Sequence, residues 1–153
     1  MKRHNGFTMI ELIFVIVVLG ILAAIAIPRL AATRDDAQIA KGRSDIAAIR
    51  AAIVSERQGR LMQGQSSYIS KLDQDVGTGE GVVLFDDNDS NTSNGSLLQY
   101  GITSASSNGH WMKTAAATYD YKVLNDATTF TYNSTTGSFG CTAGQHKCDL
   151  LTR

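Results

Sequence analysis

An apolar run near the N-terminus most constrains what this chain can fold into. Residues 7–27 contain a single charged side chain, that of Glu11. At about 1.5 Å per residue, an α-helix of this length spans roughly the 30 Å hydrocarbon core of a bilayer. The run therefore predicts a transmembrane helix. Lys2 and Arg3 precede it, which predicts a cytoplasmic N-terminus and an exported C-terminal part.

A secretory signal peptide is the main alternative for this segment. Its basic start, apolar centre and small-x-small sequence, Ala24-Ile25-Ala26, are the parts of such a signal. However, the apolar run is longer than a usual signal core, a carboxylate lies at its beginning, and Pro28 follows the potential cleavage position. These three features favour a helix that is retained.

Glu11 is the unusual residue of the run. An ionised carboxylate in lipid is costly and calls for a positive partner, yet no Lys, Arg or His lies between Phe7 and Ile27. Near the cytoplasmic interface the carboxylate could simply be solvated. Alternatively, its partner belongs to another copy of the chain.

The order Gly6, Phe7, Glu11 and then an apolar run to Pro28 resembles the N-terminus of type IV pilins and of the related type II secretion pseudopilins. The resemblance covers about the first thirty residues closely. It implies that a prepilin peptidase cuts after Gly6, removes the leader 1–6 and methylates the new amino group of Phe7. It also implies that Glu11 of one subunit neutralises that amino group on a neighbour while the apolar helices bundle into a filament. Opposite charges in an apolar bundle are tolerable as a pair, and the pair fixes axial register.

The resemblance also implies partners and a location. The partners are further copies of the chain as a homo-oligomeric helical filament, related minor pilins, the prepilin peptidase, and an assembly ATPase with its inner-membrane platform protein. The location is a single pass through the inner membrane with a periplasmic head, and later a periplasmic or cell-surface filament. A pilus, a secretion pseudopilus and a DNA-uptake fibre are all open alternatives. A membrane-anchored or secreted periplasmic binding module that does not polymerise is the alternative from another functional class.

Two residues weaken the apolar helix. Gly20 costs about 1 kcal/mol of helix propensity, and Pro28 lacks the amide that would bond to Ala24. We predict a bend or local melting between Gly20 and Pro28, which would let the segment lengthen on packing. Both residue types are also common in ordinary transmembrane helices.

The apolar residues beyond Pro28 keep a helical period. One face carries Ile39, Ile46, Ile49 and Ile53, and the opposite face is expected to carry Arg34, Lys41, Asp45, Arg50 and Arg57. Gly59 is a plausible C-terminal cap. We predict one helix over residues 8–58, divided into a transmembrane and assembly segment, 7–28, and an amphipathic segment, 29–59. A coiled coil is the rival interpretation, but the apolar spacing lasts too few heptads to favour it.

Residues 60–153 are expected to form a globular head. Residues 118–124 and 128–133 alternate in polarity and, with 138–140, predict an antiparallel meander. Less regular apolar runs occupy residues 81–85, 97–102 and 109–113. A helix packed on a small antiparallel sheet predicts an α+β fold, with the isoleucines of the helix covering the sheet. The pilin family shares that architecture.

Cys141 and Cys148 form an even pair at short spacing. In an exported chain this predicts a disulfide, which contributes roughly 2–3 kcal/mol by the loop-entropy estimate. His146 and the two thiols could instead supply three zinc ligands, but a fourth ligand is not evident.

Asp86, Asp87 and Asp89 crowd one loop and make it a weak candidate for calcium. No glutamate follows at the twelfth position of an EF-hand loop, and a solvated turn is the simpler interpretation. The sequence otherwise predicts no metal site. N-x-S/T patterns also occur, at Asn88, Asn91, Asn94 and Asn133.

Composition argues against two functional classes. The chain balances 14 basic with 14 acidic side chains and gives no general attraction for nucleic acid. The three histidines, His4, His110 and His146, lie far apart with no acid or nucleophile at a recognisable spacing. We therefore expect a structural protein, with no enzymatic activity, no cofactor and no nucleic-acid partner.

Overall fold

The computed structural model describes residues 7–74, 77–86, 96–144 and 147–152. The elements are, in chain order, α1 (Met9–Met62), β1 (Val83–Leu84), β2 (Ile102–Thr103), β3 (His110–Ala115), β4 (Thr118–Val123), β5 (Asp126–Asn133), β6 (Ser138–Cys141) and α2 (Cys148–Thr152). The chain divides into two compact units within α1, the first ending at Asp36 and the second beginning at Ala37. The strands all belong to the second unit, called the head below. The predicted α+β, pilin-like fold is confirmed.

Helix α1 ends at Met62, beyond the end at residue 58 that the sequence predicted. Gly64 supplies the cap instead of Gly59, with a left-handed φ of 81°. The Gly64 amide donates to the Leu61 carbonyl at 3.0 Å, and the Gln65 amide donates to the Arg60 carbonyl at 2.9 Å. These two bonds form a Schellman motif, which satisfies carbonyls at the end of the helix.

The extra helical turn carries a buried ion pair. Arg60 Nε lies 3.1 Å from Glu56 Oε1, and the two side chains are each only 4% exposed. Continuing the helix through Gly59 therefore brings Arg60 within reach of the residue one turn before it.

The main sheet is antiparallel, in the order β3-β4-β5-β6. It contains the predicted meander and adds β3 at one edge. The β4–β5 turn consists of Leu124 and Asn125, with φ angles of 54° and 65°. Positive φ at both central residues belongs to a type I′ turn, whose twist suits a two-residue hairpin. Strand β5 therefore begins at Asp126, two residues earlier than predicted. Strands β1 and β2 form a separate antiparallel pair.

The core lies between α1 and the inner face of the main sheet. Ile46, Ile49 and Ile53 are all 2% exposed or less, which confirms the predicted stripe. They share one buried cluster with aromatic residues of the head: Phe85, Trp111, Tyr119, Tyr121, Phe130, Tyr132 and Phe139. The Trp111 ring is central, 4.9 Å from the Tyr121 ring and 5.2 Å from the Phe130 ring between centroids.

Several charged residues assigned to the opposite face of α1 border the isoleucine stripe instead. Residues three or four positions apart are neighbours on a helix, so Asp45 and Arg50 flank Ile49 and Ile46. Hydrogen bonds to the sheet follow from this position. Lys41 Nζ donates to the Gly109 carbonyl at 2.5 Å, Arg50 Nε donates to the Phe139 carbonyl at 2.9 Å, and Trp111 Nε1 donates to Asp45 Oδ2 at 3.1 Å.

Gly42 allows close packing of the part of α1 that belongs to the head against β4 and α2. A Cβ atom at this position would lie 2.5 Å from the Tyr121 ring and 2.9 Å from a methyl group of Leu151. Glycine therefore permits both contacts, one with β4 and one with α2. Gly42 lies on the isoleucine stripe, three residues after Ile39 and four before Ile46, but the period alone does not indicate which side chains it meets.

A buried ion pair ties the segment after α1 to the main sheet. Asp73 is 1% exposed and accepts hydrogen bonds from Lys113 Nζ on β3 and from the Tyr119 hydroxyl on β4, both at 2.6 Å. The Lys113 side chain is 4% exposed. The carboxylate thus meets a charged donor and a neutral donor inside the core.

Candidate functional site: the N-terminal segment

Thr8 and Glu11 cap the N-terminus of α1. Thr8 precedes the first helical residue, and its amide and hydroxyl both donate to Glu11 Oε2, at 2.9 and 2.7 Å. The Glu11 amide in turn faces Thr8 Oγ1 at 3.4 Å. Thr8 is the N-cap and Glu11 the third helical residue, so this is a capping box.

The capping box gives Glu11 a partner within its own chain. The carboxylate accepts two hydrogen bonds and lies at the helix N-terminus, where the helix dipole favours negative charge. The sequence carries the signal for this cap, Thr-x-x-Glu before an apolar run, although only a charged partner was expected for Glu11. Glu11 therefore has a role in a single subunit in addition to any role between subunits.

The apolar surface of the first unit is open. Its large apolar side chains range from 38% exposed at Val18 to 79% exposed at Phe7. None of its most apolar stretch is buried. By length and composition this helix can cross a membrane. Its surface calls for lipid or for other apolar helices.

Helix α1 is continuous through Gly20 and Pro28. Apart from the helix's own backbone, no atom of the described residues lies within 4 Å of where a Gly20 Cβ would be, so no close contact among them requires glycine there. Pro28 leaves the Ala24 carbonyl without its usual helical donor. The bend or local melting between these residues stays a prediction.

The predicted disulfide is present and joins β6 to α2, with Cys141 Sγ 2.00 Å from Cys148 Sγ. Both sulfurs are therefore unavailable as zinc ligands. His146 and the cleavage-site residue Gly6 lie outside the described residues, whereas Phe7 is the first residue within them.

The calcium candidates are only partly described. Asp86 is half-buried, and burial raises the pKa of its carboxyl group. Asp87 and Asp89 lie outside the described residues, as do Asn88, Asn91 and Asn94. Within the described ranges, no three or more His, Cys, Asp or Glu side chains come together as a possible metal site.

A capped, exposed apolar helix followed by a small α+β head places the chain in the pilin-like class of architectures. Residues 1–27 match the family described as the prokaryotic N-terminal methylation motif. The chain thus carries that motif at the position where the resemblance to type IV pilins and type II secretion pseudopilins was noted.

Curated relatives support the same resemblance. The chain is 42% identical over 52 residues to the type II secretion system core protein G of Pseudomonas aeruginosa, a match that covers 34% of this chain and 37% of the relative. It is 50% identical over 50 residues to the type IV narrow pilus major component PilA5 of Thermus thermophilus, covering 33% and 43%. It is 34% identical over 76 residues to a fimbrial protein of Pseudomonas aeruginosa, covering 50% and 47%.

The chain therefore spans less than half the length of each of these three relatives. No solved structure matches it significantly.

Proposed function

We propose that this chain is a structural subunit of a type IV pilus-like or type II secretion pseudopilus filament, matured by a prepilin peptidase and polymerised through α1. The observation that carries the proposal is the exposed apolar helix with one acidic residue in its first turn, in a segment that matches the N-terminal methylation motif. Before assembly the helix crosses the inner membrane once and the head is periplasmic. Afterwards the head is displayed on a periplasmic or cell-surface filament.

Maturation supplies a cation at the start of the helix. Cleavage after Gly6 frees the amino group of Phe7, which the peptidase methylates. Phe7 directly precedes Thr8, whose amide already bonds to Glu11. The new amine of a neighbouring subunit is therefore a competing donor for the same carboxylate, and a stronger one because it is charged.

Polar pairing matters here because apolar burial contributes little to this assembly step. Lipid tails are as apolar as the side chains of α1, so moving the helix from the membrane into a bundle gains packing but little hydrophobic stabilisation. A charged pair between subunits then selects one axial register among many similar apolar contacts. Gly20 and Pro28 are the positions at which α1 would melt or bend to adjust its length.

Assembly requires partners outside the chain. We propose further copies of the chain, related minor pilins, the prepilin peptidase, and an assembly ATPase with its inner-membrane platform. The relatives are described as pilus, fimbrial or type II secretion core proteins. We therefore propose a structural role in a filament for this chain and no catalytic one.

N-terminal mass spectrometry of the protein from its native host tests maturation. A chain that begins with methylated Phe7 supports the proposal. A chain that retains Met1 is a simple membrane anchor, and a chain that begins at Ile27 is a secreted protein. Either of these last two results rejects it.

Three variants separate the charge of Glu11 from its capping role. Glu11→Gln keeps a capping acceptor but removes the charge, because glutamine also serves in a capping box. Thr8→Ala keeps the charge but removes the capping hydroxyl, and Glu11→Val removes both functions. Filament incorporation is measured as the fraction of the chain in sheared surface filaments, with the membrane-inserted fraction as the control.

We expect Glu11→Gln and Glu11→Val to insert normally but to be lost from filaments, and Thr8→Ala to be incorporated. Normal incorporation of Glu11→Gln would show that the charge is dispensable and would reject the pairing mechanism.

A further inference from the structure

A row of arginines lies along the β6 edge of the head. Arg43, Arg50 and Arg57 are seven residues apart on α1, which is nearly two helical turns, so they share one side of the helix. Arg50 Nε donates to the Phe139 carbonyl of β6 at 2.9 Å, and Arg43 Nε donates to the Leu150 carbonyl of α2 at 2.7 Å. The disulfide joins α2 to β6. We call the three arginines the basic flank.

The basic flank is held in place while its charges stay accessible. Arg43 and Arg50 are exposed, and the bonds to the carbonyls use only Nε, so the Nη atoms of each guanidinium can donate to a further acceptor. The half-buried Arg57 guanidinium lies over the Tyr68 ring, 3.9 Å from its centroid. Among the described residues, no carboxylate forms an ion pair with these arginines. Side chains that are already fixed lose little conformational entropy on binding.

The surface beyond the opposite edge of the main sheet carries an ionised carboxylate. The Ala105 amide donates to the Trp111 carbonyl of β3 at 3.0 Å, which places the β1–β2 pair on this side. Glu80 precedes β1 and is exposed, and its Oε1 accepts from the Ser106 amide, at 2.9 Å, and from the Ser106 hydroxyl. These bonds lower the pKa of the Glu80 carboxyl group, so it is charged at neutral pH. Like the arginines, Glu80 is held through one atom and exposes another.

An exposed aromatic residue lies on the same side of the head. Tyr100 precedes β2 and is 80% exposed, and Val83 of β1 is 41% exposed. The Val83 side chain packs directly against Gly101, the residue after Tyr100. We call Glu80, Val83 and Tyr100 the acidic flank. Arginine binds carboxylates through two donors and also stacks on aromatic rings, so this surface suits a guanidinium group.

The two flanks are of comparable length. Arg43 and Arg57 are separated by fourteen helical residues, or about 20 Å along α1. Glu80 is bonded to Ser106, and Ser106 is six residues from Tyr100, which is at most about 20 Å of extended chain. The basic flank is therefore long enough to cover the whole acidic flank.

We propose that, in the filament, the basic flank of one head docks on the acidic flank of the next copy of this chain, with guanidinium groups on the Glu80 carboxylate and on the Tyr100 ring. This proposal rests on the filament role proposed above. The flanks lie at opposite edges of the four-stranded sheet, so one head does not pair its own flanks. Contact between two different surfaces of identical subunits is head-to-tail, and it extends into an open helical assembly when the rotation does not close a ring. The head thus adds a directional contact to the packing of α1.

Charge reversal of each flank in the full-length chain, expressed in the native host, tests this contact. The double variant Arg43→Glu, Arg50→Glu and the single variant Glu80→Arg should each lower the fraction of the chain in sheared filaments at least tenfold, because like charges then face each other. Combining all three changes exchanges the two charges and should restore incorporation to within threefold of the natural chain.

Lys122→Glu is the matched control for these reversals. Buried and half-buried residues alternate along β4, so Lys122 lies on the outer face of the sheet, between the two flanks. This variant should be incorporated like the natural chain. An unchanged urea midpoint, measured by Trp111 fluorescence in detergent micelles, shows that the head of each variant is folded.

Carbodiimide cross-linking gives a second measurement that keeps the charge of the basic flank. The reagent joins an amine to a carboxylate in direct contact, so filaments of the variant Arg43→Lys, Arg50→Lys should yield dimers linked through Glu80. Adding Glu80→Gln should abolish these dimers, and mass spectrometry of the linked peptides identifies the two positions.

Absence of the natural chain from filaments would reject the filament role itself. If the natural chain forms filaments, three results overturn the docking of the two flanks and leave the filament role intact. These are normal incorporation of either reversal variant, failure of the folded combined variant to recover, and absence of cross-links to Glu80.

Discussion

Replacing Asp73 by alanine should destabilise the head by about 3–5 kcal/mol, the usual result of removing one member of a buried ion pair. Asp73 and Lys113 are 1% and 4% exposed, and their charged atoms lie 2.6 Å apart, so solvent screening is slight. The variant leaves the Lys113 ammonium in the core without this carboxylate. The loss is a large part of a typical total stability of 5–15 kcal/mol.

The assay is urea unfolding of the full-length chain in detergent micelles. Trp111 is the only tryptophan and is fully buried in the head, so its fluorescence reports the unfolding of the head alone. The midpoint and slope of the transition give the free energy of unfolding.

The double variant Asp73→Ala, Lys113→Met is the control for this reasoning. It removes both charges, and replacing a buried pair by apolar side chains is often nearly neutral. We expect it to recover most of the stability that Asp73→Ala loses. A loss below about 1 kcal/mol for Asp73→Ala would refute the assignment of a strongly coupled buried pair. So would a double variant whose loss of stability equals the sum of the losses of Asp73→Ala and Lys113→Met.

Three further predictions concern the head. Gly42→Ala should lower the stability of the head by about 1–3 kcal/mol, because the cost of overpacking exceeds the gain in helix propensity. Gly20→Ala is the control, and it should leave the urea midpoint unchanged because the space around Gly20 is open. Replacing Cys141 and Cys148 by serine should lower the free energy of unfolding by about 2–3 kcal/mol, and an unchanged midpoint would contradict this. Burial raises the pKa of the Asp45 carboxyl group, so the folded state binds the carboxyl proton more tightly than the unfolded state does. Once the pH is high enough to ionise the group, its charge therefore opposes folding. Asp45→Asn should therefore gain stability relative to the natural chain at about pH 7, and the difference should shrink toward about pH 4; the opposite trend in urea unfolding would refute it.

The parts of the fold that follow a local period were predictable from the sequence. Ile46, Ile49 and Ile53 repeat with the period of a helix, and residues 118–133 alternate as strands do. Each pattern needs only neighbouring residues, and the structure places these side chains in the core as expected. The cysteine pair was predictable for the same reason, since its spacing is short.

Features that depend on how distant segments meet were not predictable. Asp73 and Lys113 are separated by 40 positions, and no local pattern indicates that the loop after α1 reaches β3. Gly42 is similar, because its importance lies in Tyr121 and Leu151, which belong to other elements. Helix termination differed for a third reason, namely that two glycines were available and the later one ends a helix whose last turns contain the buried Glu56–Arg60 pair.

The proposed pairing would give Glu11 an intermolecular role in addition to its local one. In a single subunit the carboxylate is already bonded to Thr8, so the residue is not an unpaired charge in the membrane. Pairing with the amine of a neighbour must therefore exchange these neutral donors for a charged one. The net gain in free energy from this exchange would be smaller than that from forming a new ion pair. It would be obtained only where the amine of another subunit lies at the same axial position as Glu11. In the proposed filament, a pair of this kind would select axial register well and would stabilise the bundle modestly.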